Sequence, residues 1–111
     1  MGDTRIKKAT PYRRNKYNAK KTIVDGIRFD SKKEAEYYKK LKNDQSSGSV
    51  LMFLRQVPFD LPGNVKYRCD FQVFMDDGVV YHIDVKGRRT DQYIMKKKQV
   101  EALYPVTIEE V

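Results

Sequence analysis

Asp70, Asp84 and Lys86 form the pattern D-x13-D-x-K, and their side-chain types suit one kind of chemistry. Strand side chains alternate, so Asp84 and Lys86 project together from an extended segment. Carboxylates are hard oxygen ligands, and with no Cys or His cluster beside them they suit Mg²⁺ or Mn²⁺, not zinc. A cation held there can lower the pKa of a bound water and neutralise charge on a phosphoryl oxygen. A lysine alongside can orient that water or stabilise the charge of the transition state. Phosphodiester hydrolysis is the reaction class that uses all of these groups.

Whether the two acids meet depends on the stretch that carries them, YRCDFQVFMDDGVVYHIDVKG, residues 67–87. Tyr67, Cys69, Phe71, Val73 and Met75 alternate with Arg68, Asp70, Gln72 and Phe74. Val79, Tyr81, Ile83 and Val85 alternate with Val80, His82, Asp84 and Lys86. The pattern predicts two strands, each with an apolar and a mostly polar face. A two-residue turn at Asp77-Gly78 would pair odd positions with even ones and set apolar beside polar. A three-residue loop, Asp76-Asp77-Gly78 with Gly78 left-handed, pairs Met75 with Val79 and puts every apolar residue on one face. Asp70 then stands opposite Asp84, with Cβ atoms about 4.5–5.5 Å apart. Two carboxylates that close repel unless a cation lies between them.

The elements around this hairpin follow from periodicity and capping signals. Thr22 to Phe29 reads as a short hairpin turning at Asp25-Gly26. Ser31 followed by Glu34 is a capping-box pattern that starts a helix reaching about Asn43. Glu34, Tyr38 and Leu41 share its inner stripe, and Glu36 lies on the solvent side. Residues 44–49 read as a loop by composition. Val50 to Leu61 is an apolar strand in which Pro58 signals an edge or a strand end and Gln56 is the interior polar exception. Thr90 is an N-cap for a helix to Leu103, with Tyr93, Lys96, Val100 and Leu103 facing inward. Pro105 ends that helix and Val106 to Glu109 forms a last strand. The predicted class is α/β, an α+β mixed sheet, in the order helix, three strands, helix, strand, after a small N-terminal hairpin.

At 111 residues the chain is sized for one domain, and 34% of it is charged. No apolar run approaches membrane-spanning length and no signal peptide is evident, so a soluble, intracellular protein with no membrane partner is expected. Cys69 is the single cysteine, which excludes a disulfide framework; on its strand's apolar face it acts as a small hydrophobe. The net charge of +8 is uneven: residues 1–28 hold nine Lys/Arg against Asp3 and Asp25. Residues 1–18 read as a flexible basic arm and 19–111 as the folded domain. Arg13, Arg14, Lys16, Lys20 and Lys21, interleaved with Tyr12 and Tyr17, suit a phosphate backbone, as do Arg88, Arg89 and Lys97.

On these residues the chain resembles the PD-(D/E)XK nucleases, the restriction-endonuclease-like superfamily, and within it a family of small phage-encoded proteins. The resemblance rests on KYNAKKT, FDSKKEAEYY, Gln56, YRCDF, IDVKG and the run Thr90, Tyr93, Lys96. Cys69 stands where the motif's proline would be. The resemblance implies a restriction-endonuclease-like core, Asp70 and Asp84 as metal-binding acids and Lys86 as the catalytic lysine. Glu34 takes the place of the first-helix glutamate of the resolvase-type branches, as catalytic residue and ligand, against its plainer role in the helix cap. Gln56, His82 and Lys96 are accessory candidates. Gln56 either orients the site or satisfies backbone groups, and His82 is either a surface or DNA-contact residue or a proton-transfer group. The implied activity is that of a Mg²⁺- or Mn²⁺-dependent DNA endonuclease on branched DNA, like a Holliday junction resolvase, acting as a homodimer in the (host) cytoplasm. A less selective phage DNA nuclease and a non-catalytic nucleic-acid-binding module are the alternatives.

Overall fold

The structure is a computed structural model, and it describes residues 22–111. The basic arm, with Arg13, Arg14 and Lys16, lies outside the described residues, as do Lys20 and Lys21. The chain divides into two compact units, one ending at Glu36 and the other running from Tyr37 to Val111. In order, the elements are β1 (Thr22–Val24), β2 (Ile27–Phe29), α1 (Lys32–Ser47), β3 (Val50–Leu61), β4 (Val65–Met75), β5 (Val80–Asp84), α2 (Asp91–Leu103) and β6 (Ile108–Glu110). This is the predicted α+β order, a mixed sheet with two helices and an N-terminal antiparallel hairpin.

In the first unit, β1 and β2 pair antiparallel around Asp25 and Gly26, both at positive φ (53° and 76°). That is the backbone a two-residue hairpin turn requires, and Asp-Gly adopts it readily. Helix α1 begins where Ser31 Oγ accepts the Glu34 N–H at 3.1 Å. Glu34, Ala35, Tyr38 and Leu41 are buried along it and Glu36 is exposed. The helix runs past Asn43 to Ser47, so the polar segment from Asp44 is helical and not a loop. Gly48, at φ 95°, stops it by donating its N–H to the carbonyls of Asp44 and Gln45.

The second unit holds a four-stranded sheet ordered β3-β4-β5-β6, antiparallel except for the parallel β5/β6 pair. Pro58 therefore sits on an edge strand, where its missing N–H costs no interior ladder bond. The central register is the one parity demands: Phe71 pairs with Ile83, Val73 with Tyr81 and Phe74 with Val80. Met75 N–H donates to Val79 O at 2.9 Å across a three-residue loop whose Gly78 has φ 91°. Asp77 Oδ1 accepts the Val79 N–H at 3.0 Å and pins the turn.

The odd-numbered residues of β4 do not all enter one core. Phe71 lies against Tyr37 and Phe53, and Phe53 meets Tyr38 of α1 edge-on at 5.7 Å. Tyr67 and Cys69 instead join Leu61, Val100, Ile108 and Tyr93 in a core built on α2. Alternate residues of a regular strand share a face, so the β3/β4 pair rolls between Cys69 and Phe71. The register there sets Gln56 opposite Asp70, since Arg55 pairs with Phe71 and Val57 with Cys69. Gln56 has φ 53°, the left-handed region, in mid-strand. The roll brings Phe59 within 5.8 Å of the His82 ring and 5.1 Å of Tyr104.

Helix α2 starts at Thr90, whose hydroxyl accepts the Tyr93 N–H at 3.1 Å. It buries Tyr93 and Val100, but Leu103, expected inside, is 57% exposed. Ile94 and Tyr104 pack on the core in its place. Ile108 pairs with His82 and so shares its side of the sheet. Helix α2 thus covers the side that carries His82 and Asp84.

Cys69 is fully buried, and burial pushes its thiol up to about 11. The thiolate is the reactive form, so at pH 8 Ellman's reagent will titrate this thiol slowly in the native protein and at once in denaturant. Equal rates in the two states would contradict its burial.

Candidate active site

The register carries Asp70 and Asp84 to the place where the β4/β5 ladder ends. Beyond the Phe71–Ile83 pair, side chains replace main-chain partners. Asp84 Oδ1 accepts the Asp70 N–H at 2.9 Å, and Asp70 Oδ2 accepts the Val85 N–H at 2.9 Å. Each carboxylate is thereby fixed to the strand of the other, and these charge-assisted bonds offset part of their mutual repulsion. Gln56 Nε2 reaches Asp70 Oδ1 at 3.4 Å from the edge strand. Its left-handed backbone costs of order 1–3 kcal/mol, a strain that clusters at functional sites.

Asp84 has no exposed surface, and among the described residues its Oδ2 accepts no well-formed hydrogen bond, the neighbouring Tyr93 hydroxyl donating to Glu110. Burial pushes its pKa up, against the opposing pull of the Asp70 N–H, the Lys86 charge and the nearby Tyr93 hydroxyl. A buried carboxylate oxygen this poorly supplied with donors is costly, and a hard cation is one group that would relieve it. Lys86 follows two residues later, half-buried, with Nζ 4.4 Å from the centre of the Tyr93 ring. Its backbone is tied to the chain's end: Lys86 N–H donates to Val111 O at 3.3 Å, and Val111 N–H to Asp84 O at 3.0 Å.

The parallel strand adds a residue that sequence patterning missed. Glu110 pairs with Asp84 across β5/β6, extending the row Gln56, Asp70, Asp84 to all four strands. Tyr93 donates its hydroxyl to Glu110 Oε2 at 3.2 Å; burial and the charges of Asp84 and Glu110 push its pKa up. Lys97 Nζ lies 2.8 Å from Glu110 Oε2 and Arg89 Nε 3.2 Å from Oε1. Lys97, the larger influence, draws the Glu110 pKa down, helped by Arg89. Both cations were expected to face DNA; the structure gives them a carboxylate partner first. Arg88 is exposed.

His82 departs from the expected surface or DNA contact. It is 8% exposed, its ring lies against Phe59, and its Nε2 is 3.0 Å from Gln72 Nε2. Burial lowers its pKa, because the charged imidazolium is poorly solvated there. Lys96 is half-buried and donates to the Lys66 carbonyl at 3.4 Å. Glu34 belongs to the first unit, where it is buried and takes part in the helix start. Among the described residues no three His, Cys, Asp or Glu side chains form a group that could hold a metal ion. No described helix is long and apolar enough to cross a membrane.

Residues 14–109 match a family whose description reads "Protein of unknown function (DUF1064)". No curated protein and no solved structure matches the chain.

Proposed function

We propose that this chain, which belongs to the DUF1064 family, is a divalent-metal-dependent DNA endonuclease of the PD-(D/E)XK type. Its proposed substrate is branched DNA, cut in the manner of a Holliday junction resolvase in the (host) cytoplasm. The observation that carries this reading is the Asp70/Asp84 pair, locked strand to strand, with Asp84 fully buried and Lys86 two residues on.

The donor set fits Mg²⁺ or Mn²⁺, which commonly rest on one or two carboxylates and complete their shell with water and substrate phosphate oxygens. Asp70 and Asp84 would hold the ion. Once bound, it supplies Lewis-acid polarisation of the phosphate and a more acidic water. The chain's own residues do the rest. Gln56 and the Val85 N–H keep Asp70 in one orientation, and the Asp70 N–H does the same for Asp84. Lys86, steadied over Tyr93, offers a cation to the developing negative charge on the phosphate. Glu110 anchors Tyr93 and so supports the surface under Lys86.

A four-way junction needs two symmetric cuts, which a homodimer with a two-fold axis delivers. Labelled four-way junction, flap and linear duplex incubated with Mg²⁺ or Mn²⁺ test the reading directly. Paired symmetric cuts near the crossover are expected, and light scattering is expected to give twice the chain mass. Unselective degradation would make the protein a general nuclease. A non-catalytic DNA-binding module is the second reading. Binding without cutting under every metal condition would establish it.

A further inference from the structure

A second polar feature lies beside Lys86, outside the carboxylate row. A cleft of about 190 Å³ opens at the start of α2, and four cationic side chains line it: Lys66, Arg68, Lys86 and Lys96. Thr90 and Tyr67 line it too, and among the described residues no carboxylate does. Like charges gather around a cleft at a cost in mutual repulsion, which an anion would remove. Lys66 is partly neutralised by an ion pair with Asp60 on the neighbouring strand. Lys96 is held in place by its bond to the Lys66 carbonyl. The amino end of a 13-residue helix adds positive potential to the same place.

An independent observation points to a ligand. Tyr67 is 4% exposed, and its hydroxyl is buried without a hydrogen-bond partner among the described residues. Buried hydroxyls are nearly always paired, and phenylalanine would fill this site equally well if packing were the only demand. An oxyanion in the cleft gives the hydroxyl an acceptor and the cations a counter-charge. The volume is several times that of one water, about 30 Å³, so a phosphate group fits with solvent to spare.

We propose that this cleft is a phosphate subsite for a DNA strand, with Lys66, Arg68 and Lys96 as cations and the Tyr67 hydroxyl as donor. It rests on the reading that the Asp70, Asp84 and Lys86 face takes DNA, and it adds a second anchor on the strand beside the phosphate being cut. The phosphate is either an internal diester or a 5′-terminal monoester.

Fluorescence anisotropy in EDTA separates binding from cleavage. Parent, Tyr67→Phe and Lys96→Met are titrated with a labelled duplex and with single strands carrying a 5′-phosphate or a 5′-hydroxyl. Each variant is expected to weaken binding about 3–10-fold, the value of one hydrogen bond or charge contact. Lys96→Met should also reduce the duplex salt slope by about 0.9. Tyr67→Phe should melt at or above the parent temperature, which excludes misfolding as the cause. Preference of the parent for the 5′-phosphorylated strand, lost in both variants, would assign the monoester; equal affinity for both strands would assign the diester. Parent-like affinity in both variants, or no binding by the parent, would overturn the subsite. Cleavage is scored separately with Mg²⁺, so weakened binding without any cutting would sink the nuclease reading and leave the cleft standing.

Discussion

Replacing Asp84 by asparagine is expected to abolish metal-dependent cleavage and, in EDTA, to raise the melting temperature. The two effects have one origin. Asp84 is fully buried, and burial pushes its pKa up. A native-state pKa above the unfolded value means that the ionised group costs stability at neutral pH. Asparagine keeps an oxygen for the Asp70 N–H and removes both the buried charge and its repulsion with Asp70. A net gain of about 1 kcal/mol would move the melting temperature by roughly 4–8 °C in a domain of this size. The sign fixes the pH dependence. As pH falls through the raised native pKa towards the ordinary aspartate value, the parent takes up the proton and recovers stability. The gap between parent and variant should therefore close in acid. Mg²⁺ or Mn²⁺ should stabilise the parent, by about 2.7 kcal/mol at a hundred times its dissociation constant, and leave Asp84→Asn unmoved. Loss of the ion's electrostatic help, on the order of 4 kcal/mol, corresponds to about 10³-fold in rate. Scanning calorimetry with and without metal, beside a cleavage assay, reads all of this. A variant that cuts like the parent, or a parent whose melting point ignores both metals, would remove Asp84 from the site.

Parity explains why this pair was legible in the sequence. Side chains in a hairpin alternate with a period of two, and one turn length alone kept Tyr67 to Met75 in step with Val79 to Val85. Residues joined by a tight turn carry their register with them. Residues joined by a long crossover do not, and Glu110 shows the consequence. Its place beside Asp84 is set by a parallel pairing reached through α2, so no local pattern marks it. With Glu110 unseen, the partners of Lys97, Arg89 and Tyr93 were unseen too. The roll at Gln56 was hidden for another reason: a left-handed residue in mid-strand is usually announced by glycine, and here it is glutamine. That roll buries His82 under Phe59 and divides one apolar stripe between two cores. Composition misled at the end of α1, where Asp44 to Ser47 carry loop-forming side chains yet the helix continues until Gly48 caps it.

Lys86→Met is expected to lower the cleavage rate about 10²–10³-fold, the cost of removing one preorganised donor from a developing oxyanion, with little change in fold or DNA affinity. The structure separates these quantities. The half-buried Lys86 side chain lies with its ammonium over the Tyr93 ring, and methionine can keep an apolar and sulfur contact with that ring. The cation–π contribution, about 0.5–1 kcal/mol in a partly solvated setting, is the stability at risk. Backbone bonds from Lys86 and Asp84 to Val111 do not depend on the side chain, so strand β5 and Asp84 stay in place. One phosphate contact among several is lost, which leaves the duplex salt slope within about 0.9 of the parent. Lys86→Arg should not restore the rate, because a guanidinium stacked flat on the ring spreads its charge in a rigid plane and does not present the compact ammonium that lysine holds there. Single-turnover cleavage with protein in excess isolates the chemical step from binding. A normal single-turnover rate in Lys86→Met would demote the lysine to a surface cation. A reduced rate that Lys86→Arg fully restores would show that charge alone matters there, and that the seat over Tyr93 does not.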